Sequence, residues 1–97
     1  DVINIFFPDP WPKKRHYKRR LISEDFIVLI KSKLKQNGLV HICTDWADYG
    51  HDINALFESN KEFNLLETFP KRLQTKFEKK GLAIGHSIYE FAFQLVL

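Results

Sequence analysis

Two short runs, 2–7 and 39–44, are dominated by β-branched and aromatic residues and end abruptly at Pro8 and Asp45. Each predicts a strand buried on both faces, as in a parallel sheet covered by helices. The stretches that follow change period. Ser23 offers an N-cap with Glu24 and Asp25 in the first turn, where acids suit the helix dipole. Phe26, Ile27, Ile30 and Leu34 then fall at helical spacing, and Gly38 follows as a stop. A second helix is predicted from Asp45 to about Asn60, with Trp46, Tyr49, Ile53, Leu56 and Phe57 on its inner side. Positions 63–69 read as a weaker third strand. From His86 the pattern alternates, with Tyr89, Phe91, Phe93, Leu95 and Leu97 on one face and Ile88, Glu90, Ala92, Gln94 and Val96 on the other. That is a long closing strand.

Strand–helix–strand–helix–strand predicts an α/β fold with parallel strands joined by right-handed crossovers. No clear helix separates the third strand from the last, so the final strand is expected to be antiparallel. At 97 residues the chain is one small domain at most, burying roughly 60–70% of its unfolded surface. It contains no Met and opens inside what reads as a core strand, so it is expected to be a piece of a longer protein. No apolar stretch approaches the ~20 residues of a membrane helix.

Between the first strand and the first helix the character changes completely. Residues 8–22 are too proline-rich and too charged for a core and read as a surface loop. Asp9 stands between Pro8 and Pro10, Trp11 follows, and Lys13, Lys14, Arg15, Lys18, Arg19 and Arg20 put six cations in eight positions. Without that segment nine basic residues face 12 acids, and the net charge of +3 becomes −3. The basicity is therefore local, which points to an anionic partner. His16 and Tyr17 interrupt the cations, and such rings stack on bases while Lys and Arg neutralise phosphates. A solvated charged loop is the plainer reading of the same run. Asp9 lies where ligands sit in open α/β sheets, beyond a strand's carboxyl end; the plainer alternative is a turn acid beside proline.

Thr44-Asp45 closes the second strand and starts a helix, where Asp45 taken alone reads better as an N-cap than as a site residue. Thr75-Lys76-Phe77-Glu78 has capping-box spacing, but Gly81 leaves room for barely a turn of helix, which favours a shaped binding loop. The single cysteine, Cys43, reads as a buried inert thiol in a reducing cytoplasm. His16, His41, His51 and His86 are scattered without zinc-ligand spacing, so no metal is expected. No catalytic-triad arrangement, dinucleotide fingerprint or P-loop is present.

Taken together, Phe6-Phe7-Pro8-Asp9-Pro10-Trp11-Pro12-Lys13-Lys14-Arg15-His16, Lys18-Arg19-Arg20-Leu21, Thr44-Asp45, Thr75-Lys76-Phe77-Glu78 with Gly81, and Gly85-His86 resemble the bacterial tRNA (guanine-N7-)-methyltransferases. The first block is long and specific. The Thr-Lys-Phe-Glu tetrapeptide informs through its place downstream. The resemblance covers essentially the whole chain but only the carboxyl-terminal portion of such an enzyme, without the family's glycine-containing cofactor loop. It implies the carboxyl-terminal half of a class I S-adenosylmethionine-dependent, Rossmann-like sheet. It also implies methyl transfer from S-adenosylmethionine to N7 of guanine 46 in the variable loop of tRNA. By the resemblance, Asp9 is catalytic and touches the cofactor, while Lys13, Asp45, Thr75, Lys76, Phe77 and Glu78 hold the substrate. Arg15, His16, Tyr17, Lys18, Arg19 and Arg20 form the RNA-contact segment. Tyr17 stands at a variable position of that pattern. A non-catalytic RNA-binding module with the same sheet is the main alternative.

Overall fold

The computed structural model describes residues 2–70 and 87–97. The Thr75-Lys76-Phe77-Glu78 segment with Gly81, expected to be a shaped binding loop, and Gly85-His86 therefore lie outside the described residues.

Strand β1 (Val2–Phe6) leads through a charged connection to helix α1 (Glu24–Lys33), strand β2 (Leu39–Thr44), helix α2 (Ala47–Glu58), strand β3 (Phe63–Leu65) and strand β4 (Tyr89–Leu95). The sheet order is β1-β2-β4-β3. β1 and β2 are parallel, while β4 runs antiparallel to both β2 and β3. The last strand is thus inserted between β2 and β3 rather than added at an edge. An α/β sheet of parallel strands with one final antiparallel strand is what the hydrophobic pattern predicted.

Local chemistry explains the helices. The Ser23 hydroxyl accepts from Phe26 N at 3.3 Å, Glu24 and Asp25 occupy the first turn, and Lys31 and Lys33 the last, so both ends of α1 complement its dipole. In the turn after α1, Asn37 stands in the left-handed region at φ 69° just before Gly38, and asparagine tolerates this region better than most side chains. α2 begins later than expected, with Trp46 at the N-cap position and its N–H donating to Thr44 Oγ1 at 3.2 Å. Asp45 stands one residue before the cap position. Trp46 was expected to face inward; it is 41% exposed, because the N-cap position precedes the stretch of α2 that meets the sheet.

The helices cover one face of the sheet. Ile5, Val40, Ile42, Phe93 and Leu95 pack with Ile27, Ile30, Tyr49, Ile53 and Phe57. Phe57 is the centre of this layer, stacked on Phe93 at 4.1 Å between centroids and edge-on to Phe63 at 5.0 Å. Gly50 lets α2 come close, since an added Cβ would stand 3.3 Å from the Tyr89 side chain.

Three further expectations are corrected. β1 is not buried on both faces: Val2 is 44% exposed and Asn4 is exposed, since β2 is its one strand partner among the described residues. The third strand stops at Leu65 instead of Phe69, although Leu66 N still donates to Ala92 O at 2.8 Å. The segment 8–22 is not wholly loop, because Lys14–Arg19 forms a six-residue 3-10 helix. No helix among the described residues is long and apolar enough to cross a membrane.

Candidate functional site

The parallel pairing of β1 and β2 aligns their carboxyl ends, with Phe6 opposite Cys43. Chain leaving these neighbouring ends carries Asp9 on one side and Thr44-Asp45 on the other. Two carboxylates from segments far apart in sequence thereby arrive at the same end of the sheet, the usual place for a ligand in this class of architecture.

The β1 exit loop is strained. Phe7 has φ 57° and Trp11 φ 42°, a region that bulky side chains avoid and that costs about 1–3 kcal/mol per residue. Two bonds hold it. Phe7 N donates to Cys43 O at 2.8 Å, extending the ladder past the strand. Trp11 N donates to Asp9 Oδ1 at 2.9 Å, a side-chain turn closed by the acid itself. The turn-acid reading of Asp9 is therefore real geometry, while the carboxyl remains exposed.

Lys13 occupies the N-cap position of the 3-10 helix, and Lys13, Lys14, Arg15, Lys18 and Arg19 are all exposed. Trp11 gathers two of the segment's members: the Arg19 guanidinium lies 5.2 Å from its ring centroid, and His16 meets it edge-on at 5.7 Å. The result is a short platform of cations and rings beside Asp9.

Arg20 departs from the RNA-contact expectation. It is only 4% exposed, and its guanidinium points into the protein. Nε donates to Pro10 O at 2.6 Å, one terminal nitrogen to Asp48 Oδ2 at 2.8 Å, and the other lies 3.6 Å from Asp52 Oδ2. Its carbon lies 3.9 Å from the Tyr17 ring centroid and 4.8 Å from that of Tyr49. A phosphate could reach this group only by breaking those contacts, so of the expected contact set Arg15, Lys18 and Arg19 are exposed, while His16 and Tyr17 are partly buried. Tyr17 is half-buried against Arg20. The Asp48 carboxylate, accepting from its hydroxyl, holds the Tyr17 phenol above its ordinary range. Asp48 in turn is held below the usual aspartate value, first by Arg20 and then by Tyr17. Burial pushes the Tyr49 phenol up, and its oxygen accepts from Ile22 N at 3.0 Å.

On the sheet face opposite the helices, strand pairing brings together three residues that spacing alone left apart. Glu90 sits opposite Cys43, and one ligand atom each from His41, Cys43 and Glu90 lies within 4.8 Å of the others. His41 Nε2 pairs with Glu90 Oε2 at 2.5 Å, while the buried Nδ1 has no partner among the described residues. Phe6 meets the His41 ring edge-on and Phe69 stacks on it. A cleft of about 440 Å³ lined by Asn54, Phe57, Glu58, Phe63, Asn64, Leu65 and Phe93 lies at the far end of α2. It includes none of the residues at the strand ends, so the candidate chemistry is placed by the strand ends and not by that cleft.

A half-sheet with its antiparallel strand inserted next to the edge, and with an acid-bearing loop at the carboxyl ends of its parallel strands, is an α/β architecture shared by many enzymes of different chemistry. Residues 1–91 match the family model described as "Putative methyltransferase", and the chain belongs to that family. Curated relatives agree. It is 44% identical over 97 residues to a tRNA (guanine-N(7)-)-methyltransferase of Nitrosococcus oceani, covering 97% of this chain and 41% of that protein. Proteins of the same name from Nitrosomonas europaea and Legionella pneumophila are 46% and 42% identical over 98 residues, covering 96% and 94% of this chain and 44% of each relative. The chain thus spans less than half the length of these relatives.

Proposed function

We propose that the chain is the carboxyl-terminal portion of an S-adenosylmethionine-dependent tRNA (guanine-N7-)-methyltransferase acting in the cytoplasm on guanine 46. The observation that carries this reading is the placement of Asp9 and Asp45 just beyond two adjacent parallel strand ends, on the chain that also bears the exposed cations of 13–19.

The chemistry fits these residues. Guanine N7 carries a lone pair and no proton, so the attacking atom needs no general base. The base becomes cationic as the bond forms, and a fixed carboxylate at Asp9 stabilises that charge as it develops. Asp45, with Glu78, accepts from the guanine N1–H and exocyclic amine, which adenine cannot supply in the same pattern. Lys13 and the 75–78 segment hold the nucleotide. Arg15, His16, Tyr17, Lys18 and Arg19 meet the RNA through charge and stacking.

S-adenosylmethionine, when bound, supplies an electrophilic methyl group on a sulfonium sulfur. The described residues fit one border of its site. The exposed Asp9 carboxylate is the right sign for a sulfonium, and the strained turn holds it at the sheet's crest.

The alternative, an RNA-binding module without chemistry, is favoured by one observation: Asp9 already has a local use in closing its own turn. Incubating the complete gene product with tRNA and methyl-labelled S-adenosylmethionine, then analysing the nucleosides, separates the two. 7-Methylguanosine is expected. Tight tRNA binding with no methylated nucleoside would favour the binding module.

A further inference from the structure

Arg20 is the one member of the basic segment that faces inward, and the two ends of its guanidinium serve different halves of the candidate site. Nε holds Pro10 O, the carbonyl next to Asp9. The terminal nitrogens hold Asp48 and Asp52, successive acids on the first turns of α2, just beyond Asp45. We propose that Arg20 is a positioning residue that clamps the Asp9 loop to the start of α2 and so fixes Asp9 relative to Asp45. The inference rests on the methyltransferase reading above.

Three observations make the clamp specific to arginine at this place. The loop it holds contains two left-handed bulky residues, Phe7 and Trp11, and strained backbone persists only where its surroundings over-determine it. The guanidinium lies over the rings of Tyr17 and Tyr49; an ammonium can lie over a ring too, but it cannot stack flat while its donors reach sideways to Pro10, Asp48 and Asp52. Tyr49 also accepts from Ile22 N, so the exit of the segment is tied to the same tyrosine that borders the clamp. Asp48 and Asp52 both balance the buried charge, and both remain about half exposed. The cation is therefore not left unpaired, the condition under which a buried charge is most costly.

Arg20→Lys keeps the charge but loses the fork, so it lets the loop drift while leaving the exposed cations in place. A misplacement on the order of 1 Å costs about a hundredfold in rate, so the single-turnover rate of the complete enzyme should fall roughly ten- to a hundredfold, with tRNA affinity changed less than about threefold. The decisive comparison is a double-mutant cycle with Asp9→Asn. If Arg20 acts through Asp9, Arg20→Lys should slow the Asp9→Asn enzyme much less than it slows wild type. Multiplicative losses, or a loss confined to tRNA affinity, would overturn the clamp. Should Arg20→Lys fail to fold, Asp48→Asn loosens the other end from the exposed side. It should give a smaller loss that is again non-multiplicative with Asp9→Asn, and multiplicative losses there would equally overturn the clamp. A wild-type protein that transfers no methyl group to tRNA would instead defeat the functional reading beneath it.

Discussion

Asp9 and Trp11 depend on each other: the Asp9 carboxylate accepts the Trp11 backbone N–H at 2.9 Å, and Trp11 holds φ 42°. Asparagine can accept the same hydrogen bond without carrying the charge, so the two uses of Asp9 are separable. In the complete protein, Asp9→Asn should leave folding and tRNA affinity near wild type. It should lower the single-turnover methyl-transfer rate by about 10²–10³, the order seen when one preorganised transition-state contact is removed. Asp9→Ala should lose the turn as well, and its thermal midpoint should drop below that of Asp9→Asn. Calorimetry and rapid-quench kinetics on the two variants check this; equal rates for Asp9→Asn and wild type would remove Asp9 from the chemistry.

Acid should loosen the junction between the basic segment and α2. Arg20 and Tyr17 hold the Asp48 carboxyl below its ordinary value of 3.8, with His51 assisting and Asp52 alongside. A carboxyl whose folded-state pKa is depressed contributes stability above its unfolded value, and that contribution is lost as pH falls through the folded value. The stability difference between wild type and Asp48→Asn should therefore be constant around neutrality and shrink below about pH 4. Because Asp48 is 54% exposed, added salt should shrink it too. Denaturant titrations across pH and ionic strength measure both effects; a difference that grows on acidification would contradict the assignment.

Much of this fold is legible in the pattern of residues. α1 announces itself through Ser23, Glu24, Asp25 and the spacing of Ile27 and Ile30, all local signals that the structure uses as written. β2 and β4 are likewise visible in their apolar run and alternation. What stays hidden depends on pairing between distant segments. Six cations look alike along 13–20, and only Arg20 turns inward, because Asp48 and Asp52 wait one turn apart on α2. That pair of acids beside Tyr49 was the available signal. His41 and Glu90 are 49 residues apart and meet only through the β2–β4 register. The insertion of β4 between β2 and β3 is hidden for the same reason, since nothing local encodes strand order. The 3-10 helix escapes notice because its run of charges has no apolar period.

Phe57 should carry the helix-facing layer. It is 1% exposed and contacts both Phe93 and Phe63 through its ring. Phe57→Ala should destabilise the protein by about 3–5 kcal/mol, the usual cost of deleting a buried aromatic ring. The shift in denaturant midpoint of the complete protein reads this directly, and a loss under about 1 kcal/mol would mean that the layer repacks around the gap.

Exposed cations should govern how RNA binding responds to salt. Replacing Arg15 and Lys18 together by Ala should weaken tRNA binding and reduce the slope of log affinity against log salt by about one to two. Affinities across a salt series, wild type against the double variant, give the slope. Parallel lines of equal intercept would identify 13–19 as a solvated surface.

The most direct test concerns the accepting atom. A tRNA carrying 7-deazaguanine in place of the target guanine keeps the base's hydrogen-bonding edge and replaces N7 with a carbon that has no lone pair to donate. Given to the complete protein with S-adenosylmethionine, this tRNA should bind about as tightly as the unmodified one and receive no methyl group at that base, whereas the unmodified tRNA yields 7-methylguanosine. Methyl transfer to the substituted base at a comparable rate would contradict attack by N7, and with it the roles given to Asp9 and Asp45.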